Sequence, residues 1–207
     1  MFLHFKKKDS ILQLVQDYRK LNQVTIKKKT PLSLIREVID KLKEVKYFNK
    51  LNLIWGYNNV QIKEGDKWKV AFLTNKGLFE PQVMYFGLCN LLGIFQRMIN
   101  SIFQELLHEG VLANYMDDFI IPAKTMKELE ERTIQFLKIV EKHNLCFKQS
   151  KFNFNMKEIP ILGVIVGNRQ VKMEQEKIKA IKEWKTLMKV KDVESFLGFA
   201  KFYWRFI

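Results

Sequence analysis

Cysteine is scarce in this chain. Cys89 and Cys146 are the only two among 207 residues, with neither metal-ligand spacing nor a disulfide framework. Histidine is scarce too: His4, His108 and His143 lie far from the cysteines and from one another, which argues against a zinc site. No apolar run approaches the ~18 residues that a membrane-spanning helix needs. The chain opens Met1-Phe2-Leu3-His4-Phe5 and runs straight into Lys6-Lys7-Lys8, without a signal-peptide core. These absences set the expectation of a soluble, intracellular protein with no membrane partner. Acidic residues are outnumbered, 22 Asp and Glu against 36 Lys and Arg, for a formal net charge of +14. That balance suits a polyanionic partner, either nucleic acid or an anionic membrane face. The plainer alternative is that many lysines simply solvate helix faces.

What the chain has in quantity is apolar mass. Hydrophobic residues make up 47% of it, with seventeen Phe, so it is a globular chain of one or two subdomains. No internal repeat or low-complexity tract interrupts it. Thr30-Pro31 opens a first helix, with Leu34, Ile35, Val38, Ile39, Leu42 and Val45 at helical spacing. Tyr47 to Ile62 reads as strand through Gly56, and Glu64-Gly65-Asp66 as a hairpin turn into a strand from Trp68 to Phe72. A second helix spans about Leu91 to Glu109, ended by Gly110, and a third starts at Met126 behind the capping-box pair Thr125 and Glu128. Leu129, Phe136, Leu137 and Val140 form its buried stripe. Leu145 to Phe154 and Ile159 to Val166 read as strands, Gly167-Asn168 as a turn, and Glu174–Trp184 and Val190–Phe202 as helical segments. Helices and antiparallel strands alternate without a regular βαβ period, which predicts an α+β fold.

Chemistry concentrates in Asn114-Tyr115-Met116-Asp117-Asp118-Phe119-Ile120-Ile121. Apolar runs flank the acidic pair, so it reads as strand, tight turn, strand. Two carboxylates at such a tip suit a hard divalent cation such as Mg²⁺. An ordinary acidic turn is the other reading, since Asp is a common turn residue.

Further motifs decide between them. Gln16-Asp17-Tyr18-Arg19-Lys20-Leu21-Asn22, Lys50-Leu51-Asn52-Leu53-Ile54-Trp55-Gly56-Tyr57-Asn58, Met84-Tyr85-Phe86-Gly87-Leu88-Cys89-Asn90 with Phe95-Gln96, Tyr115–Asp118, and Leu162-Gly163 follow one another along the chain. In that order they resemble the reverse transcriptase of gypsy-type (Metaviridae) LTR retrotransposons, over nearly the whole length. Ser195-Phe196-Leu197-Gly198-Phe199 and Phe202 to Ile207 resemble the segment after the palm. The resemblance implies a right hand with fingers at 1–27 and 60–90, palm at 28–59 and 91–167, and a partial thumb or connection at 168–207. With its last residue at Ile207, the sequence given is expected to hold at most a short piece of thumb and no RNase H domain. It also implies template-primed nucleotidyl transfer with two Mg²⁺ ions, an RNA or DNA template with its primer, dNTP as substrate, and a cytoplasmic particle or the nucleus as its place.

Site roles follow residue by residue. Asp117 and Asp118 fall on the catalytic Y-x-D-D box, and Leu162-Gly163 on the primer grip. Tyr57 falls on the gate beneath the sugar, Phe86 and Gly87 on the nucleotide floor, and Lys7, with Lys6 and Lys8, on the loop that meets the γ-phosphate. A core aromatic is the plainer role for Tyr57 and Phe86, and a solvated charge run for the lysines. The pattern is broken in four places. Asn52 stands where the family has its first catalytic and metal-binding Asp, and Gln13 where it has a triphosphate-contacting Arg. Tyr85 replaces a Pro, and Leu91-Leu92-Gly93 an A-P-A. An amide in place of a carboxylate beside two divalent ions costs at least ~4 kcal/mol, roughly a thousandfold in rate. Three readings are therefore open: a polymerase domain, a silenced module that still grips nucleic acid, and a decayed copy without selected function.

Overall fold

The computed structural model of the protein describes residues 2–5, 12–28, 35–54, 56–84 and 86–204. Lys6, Lys7, Lys8, Thr30, Pro31, Trp55 and Tyr85 lie outside the described residues. Strands β1 (Phe2–Phe5) and β2 (Leu12–Val15) pair antiparallel, and Gln13 is placed by its backbone opposite His4. Helices α1 (Arg19–Val24) and α2 (Ile35–Leu42) precede strand β3 (Tyr47–Asn52). A short hairpin, β4 (Phe72–Thr74) and β5 (Gly77–Phe79), leads to helices α3 (Leu91–Ile102) and α4 (Gln104–His108). Then come β6 (Ala113–Tyr115), β7 (Asp118–Ala123) and the long helix α5 (Met126–Lys142). Strands β8 (Asn153–Met156), β9 (Glu158–Ile161), β10 (Val164–Gly167) and β11 (Gln170–Met173) precede helices α6 (Gln175–Lys182) and α7 (Val190–Tyr203).

The central sheet runs β6-β7-β3-β8, antiparallel throughout, beside a second sheet ordered β11-β10-β9. The architecture is α+β, as the alternating pattern predicts. β7 is buried on both faces, and its side chains sort by period two. Phe119, Ile121 and Ala123 join Leu51, Phe95, Phe103 and Phe136 in one cluster; Ile120 joins Val38, Leu42, Phe48 and Ile159 in the other. Phe95, Phe103, Phe119 and Phe136 are fully buried, each contributing about 1.5–3 kcal/mol of transfer free energy. Asn49 is a polar insertion in this apolar surround. Its amide donates to Thr133 Oγ1 at 2.8 Å and accepts from Asn155 N at 2.8 Å, which locks β3 to α5 and β8.

Several elements differ from the sequence reading, each for a local reason. The strand from Tyr47 stops at Asn52, and Gly56–Asn59 is a single 3₁₀ turn. Lys67–Val70 is also a 3₁₀ turn, and the strand starts only at Phe72. Lys67 and Lys69 pair with Glu64 and Asp66 three residues back, a spacing that favours a helical turn. The helix from Leu91 breaks at Phe103, whose ring packs against Phe119 at 5.4 Å and Phe136 at 5.2 Å. On α5 the buried residues are Leu129, Thr133 and Phe136, while Leu137 is exposed. Its Thr125 Oγ1 accepts from Glu128 N at 3.2 Å, but the Glu128 carboxylate accepts from Lys124 N at 2.7 Å, one residue earlier than a capping box would place it. Of the Leu145–Phe154 run only Asn153 and Phe154 fall in a strand, β8, and Ile159–Val166 folds back on itself as the β9–β10 hairpin. The turn expected at Gly167-Asn168 falls at Asn168-Arg169.

Candidate active site

The Tyr115–Asp118 segment is a two-residue hairpin. Tyr115 pairs with Asp118 across it, and Met116 takes the left-handed conformation with φ +53°. Positive φ at a non-glycine residue needs support from its surroundings. Asn114 supplies it: its Nδ2 donates to the Met116 carbonyl at 2.8 Å and the Asp118 carbonyl at 3.1 Å. Asn114 Oδ1 accepts from Gln96 Nε2 at 2.8 Å, and Gln96 also donates to Asn100 Oδ1 at 2.8 Å. Asn114 and Gln96 are each only 3% exposed, so this chain from α3 to the turn is shielded from water. Sequence reasoning placed Gln96 in a motif and gave Asn114 no role. The available signal was a polar residue at an otherwise apolar position in each element.

The turn brings the expected residues together. Asn52 and Asp118 are direct cross-strand partners, and Leu53 N donates to the Asp117 carbonyl at 3.0 Å. The Asp117 carboxylate lies against Gly56, where any Cβ would overlap Asp117 Oδ1 and stand 3.0 Å from the Phe95 ring. A side chain at 56 would push the Asp117 carboxylate and crowd the Phe95 ring. Tyr57 follows it, packed edge-on to Phe86 at 5.3 Å and Phe95 at 5.2 Å. Burial raises its phenol pKa, and the Asp117 charge raises it further. The ring is half-buried against the main core cluster. Phe86 and Gly87 form the neighbouring turn. Gly87 has φ +112°, and a Cβ there would come within 2.8 Å of the Gln16 carbonyl. Asn22 clasps this turn, donating to the Gly87 carbonyl at 2.7 Å and accepting from Cys89 N at 2.9 Å. In the same segment Arg19 holds Asp17, lowering its carboxyl pKa to about 2.

Leu162 and Gly163 form the tip of the β9–β10 hairpin, with φ +53° and +85°. The Tyr203 hydroxyl packs on the Gly163 Cα and leaves no room for a Cβ. Lys7 lies outside the described residues, and Gln13 is located in β2 by its backbone.

A pair of divalent ions needs anionic oxygens from separate strands. Here both oxygens of Asp118 already have partners in the chain. Asn52 Nδ2 donates to Oδ1 at 2.9 Å, and Lys50 Nζ stands 3.2 Å from Oδ2 while donating to the Pro160 carbonyl at 2.8 Å. The opposite orientation of the Asn52 amide would set two acceptor oxygens against each other. Among the described residues no three His, Cys, Asp or Glu side chains converge as a metal site. This donor set does not fit two divalent ions. Lys50 has no role in the sequence reading, although its position two residues before Asn52 puts it on the same strand face.

Comparison with known proteins shows the family. The family model described as Reverse transcriptase (RNA-dependent DNA polymerase) matches residues 5–166. The retrovirus-related Pol polyprotein from transposon 297 of Drosophila melanogaster is 35% identical over 94% of this chain and 18% of its own length. The Pol polyprotein from transposon gypsy of the same organism is 34% identical over 94% and 19%. The transposon Tf2-3 polyprotein of Schizosaccharomyces pombe is 30% identical over 97% and 15%. The chain therefore spans less than a fifth of these relatives. The solved structure of the foamy viral protease-reverse transcriptase dRH with double-stranded DNA superposes with a TM-score of 0.87, at 19% identity over 96% of this chain and 34% of that one. The foamy viral protease-reverse transcriptase with RNA/DNA hybrid gives 0.78, at 19% identity over 93% and 25%. At that identity the likeness shows the fold alone, a reverse-transcriptase-like hand. The chain belongs to the reverse transcriptase (RNA-dependent DNA polymerase) family, and within it to the domains carried by gypsy-type LTR-retrotransposon polyproteins.

Proposed function

We propose that this chain is a reverse transcriptase fingers and palm that still grips a template–primer duplex but has lost two-metal nucleotidyl transfer. One observation carries the proposal: the Asn52 amide donates to Asp118 at 2.9 Å in the register position where the motif calls for a second carboxylate. A carboxylate there would bind a divalent ion that activates the primer hydroxyl; an amide offers one neutral oxygen, and here it is the nitrogen that faces the carboxylate. Gln13, in place of an arginine, withdraws a cationic clamp from the triphosphate. On this reading the fingers comprise 1–27 and 60–90, the palm 28–59 and 91–167, and 168–207 begins the thumb. Tyr57, Phe86 and Gly87 line the nucleotide position, Lys7 meets the γ-phosphate, and Leu162-Gly163 steadies the primer. Net charge +14 supports contact with template and primer backbones, and the foamy viral structures hold double-stranded DNA and RNA/DNA hybrid.

Fluorescence anisotropy with a labelled RNA/DNA template–primer, run beside a Mg²⁺ and dNTP extension assay on the same complex, tests both halves. Binding at low salt without extension is the expected result. Extension by the unmodified chain overturns the loss of catalysis. Absence of binding even at low salt overturns the retained grip and leaves a decayed copy.

A further inference from the structure

We infer that Lys50 is the resident cation of this palm: with Asn52 it closes the site around Asp118, so the free chain needs no divalent ion there. The inference rests on the reading that Asn52 and Asp118 stand at the metal position.

The placement follows from strand geometry. Lys50 and Asn52 are two residues apart on β3 and share a face, with Asn52 opposite Asp118 and Lys50 opposite Ile120. From there the lysine stem runs along the sheet and brings Nζ to Asp118 Oδ2 at 3.2 Å, while Asn52 Nδ2 takes Oδ1 at 2.9 Å. The same ammonium donates to the Pro160 carbonyl at 2.8 Å, so one cation joins β3, β7 and β9. The side chains of Lys50 and Asp118 are 15% and 27% exposed. Salt therefore screens this pair less than it would an open surface pair.

The charge balance explains why the arrangement is self-sufficient. An aspartate at 52 would face Asp118 directly, and like charges opposite each other across strands are destabilising. One ammonium could not neutralise both, so the site would demand a further cation. With Asn52 the charges of Lys50 and Asp118 cancel as a pair, the amide N–H adds attraction where a carboxylate would repel, and the Asp117 carboxylate lies against Gly56 outside this pair.

The test uses the full chain without nucleic acid. Melting is followed in EDTA and in 5 mM MgCl₂ with ionic strength matched by NaCl, and Mn²⁺ binding is followed by the loss of its free-ion resonance. A site specific to the folded state, at a hundredfold excess over its Kd, would raise Tm by about 5–10 °C. The native chain should melt within about 1 °C in the two buffers and leave stoichiometric Mn²⁺ free. Asn52→Asp should melt lower in EDTA and recover with Mg²⁺. Lys50→Met should also become Mg²⁺-responsive, and Lys50→Arg, which keeps the charge, should not. If Lys50→Met fails to fold, Asn52→Asp and the native Mn²⁺ titration still decide. A Mg²⁺-dependent rise in native Tm, tight native Mn²⁺ binding, or an Asn52→Asp variant indifferent to Mg²⁺ would each overturn the inference. Primer extension reports separately on the proposed function, because it is read on the ternary complex.

Discussion

Gly56 and the pair Gln96–Asn114 do for the hairpin tip what its own residues cannot. Gly56 leaves room for the Asp117 carboxylate beside Phe95. Gly56→Ala should therefore lower stability by about 1–3 kcal/mol, the usual cost of overpacking, seen in urea as a lower midpoint with an unchanged slope. Asn114→Ala removes one side-chain hydrogen bond each from the Met116 carbonyl, the Asp118 carbonyl and the Gln96 amide, which keeps Asn100. Each buried polar group left without a partner costs about 1–3 kcal/mol. A double-mutant cycle of Gln96→Ala with Asn114→Ala should give a coupling of about 0.5–3 kcal/mol; additivity would mean that the two amides do not act as a unit. The acidic tip itself was legible in the sequence, because apolar strands enter and leave it. The support beneath it was not, since hydrogen bonding between Gln96 and Asn114 spans 18 positions and no local pattern records it.

The β9–β10 hairpin and α7 meet where Gly163 lies against Tyr203. Gly163→Ala combines φ +85° with a blocked Cβ, so it should cost about 2 kcal/mol or more and loosen α7, read as faster amide exchange along Val190–Tyr203. The Tyr203 phenol is raised above its usual pKa by burial first and by Glu174 second. The folded chain thus keeps a proton that the unfolded chain gives up. Its contribution is whole below the unfolded value of about 10 and is lost as pH rises from there through the folded value. Tyr57, raised by burial and by Asp117, acts with the same sign. Tyr203→Phe should flatten part of the alkaline fall in stability, and an unchanged alkaline limb would contradict this assignment. At this scale the sequence showed the long amphipathic helices well, because α3 and α5 carry apolar stripes over several turns. It misled at Gly56–Asn59 and Lys67–Val70, where tertiary contacts and i,i+3 ion pairs impose 3₁₀ turns on runs that look like strand.

For the molecule as a whole, motif order carried more information than any single segment, since five short motifs in sequence define a hand that no one of them specifies. Charge sets the next expectation. Binding to a template–primer should weaken more than tenfold between about 50 and 200 mM salt, with a log–log slope that counts the phosphates engaged; a flat salt response would exclude a backbone grip. The central claim is that Asn52 in place of a carboxylate abolishes nucleotidyl transfer on an otherwise assembled palm. Single-turnover primer extension with Mg²⁺ tests it most directly, on the native chain, on Asp117→Asn and on the double variant Asn52→Asp with Gln13→Arg. The native chain should add no nucleotide above the Asp117→Asn background, consistent with a loss of roughly a thousandfold or more, and any extension recovered should belong to the double variant. Robust extension by the native chain, abolished by Asp117→Asn, would contradict the claim and mean that Asp117 and Asp118 organise the chemistry without a carboxylate at 52.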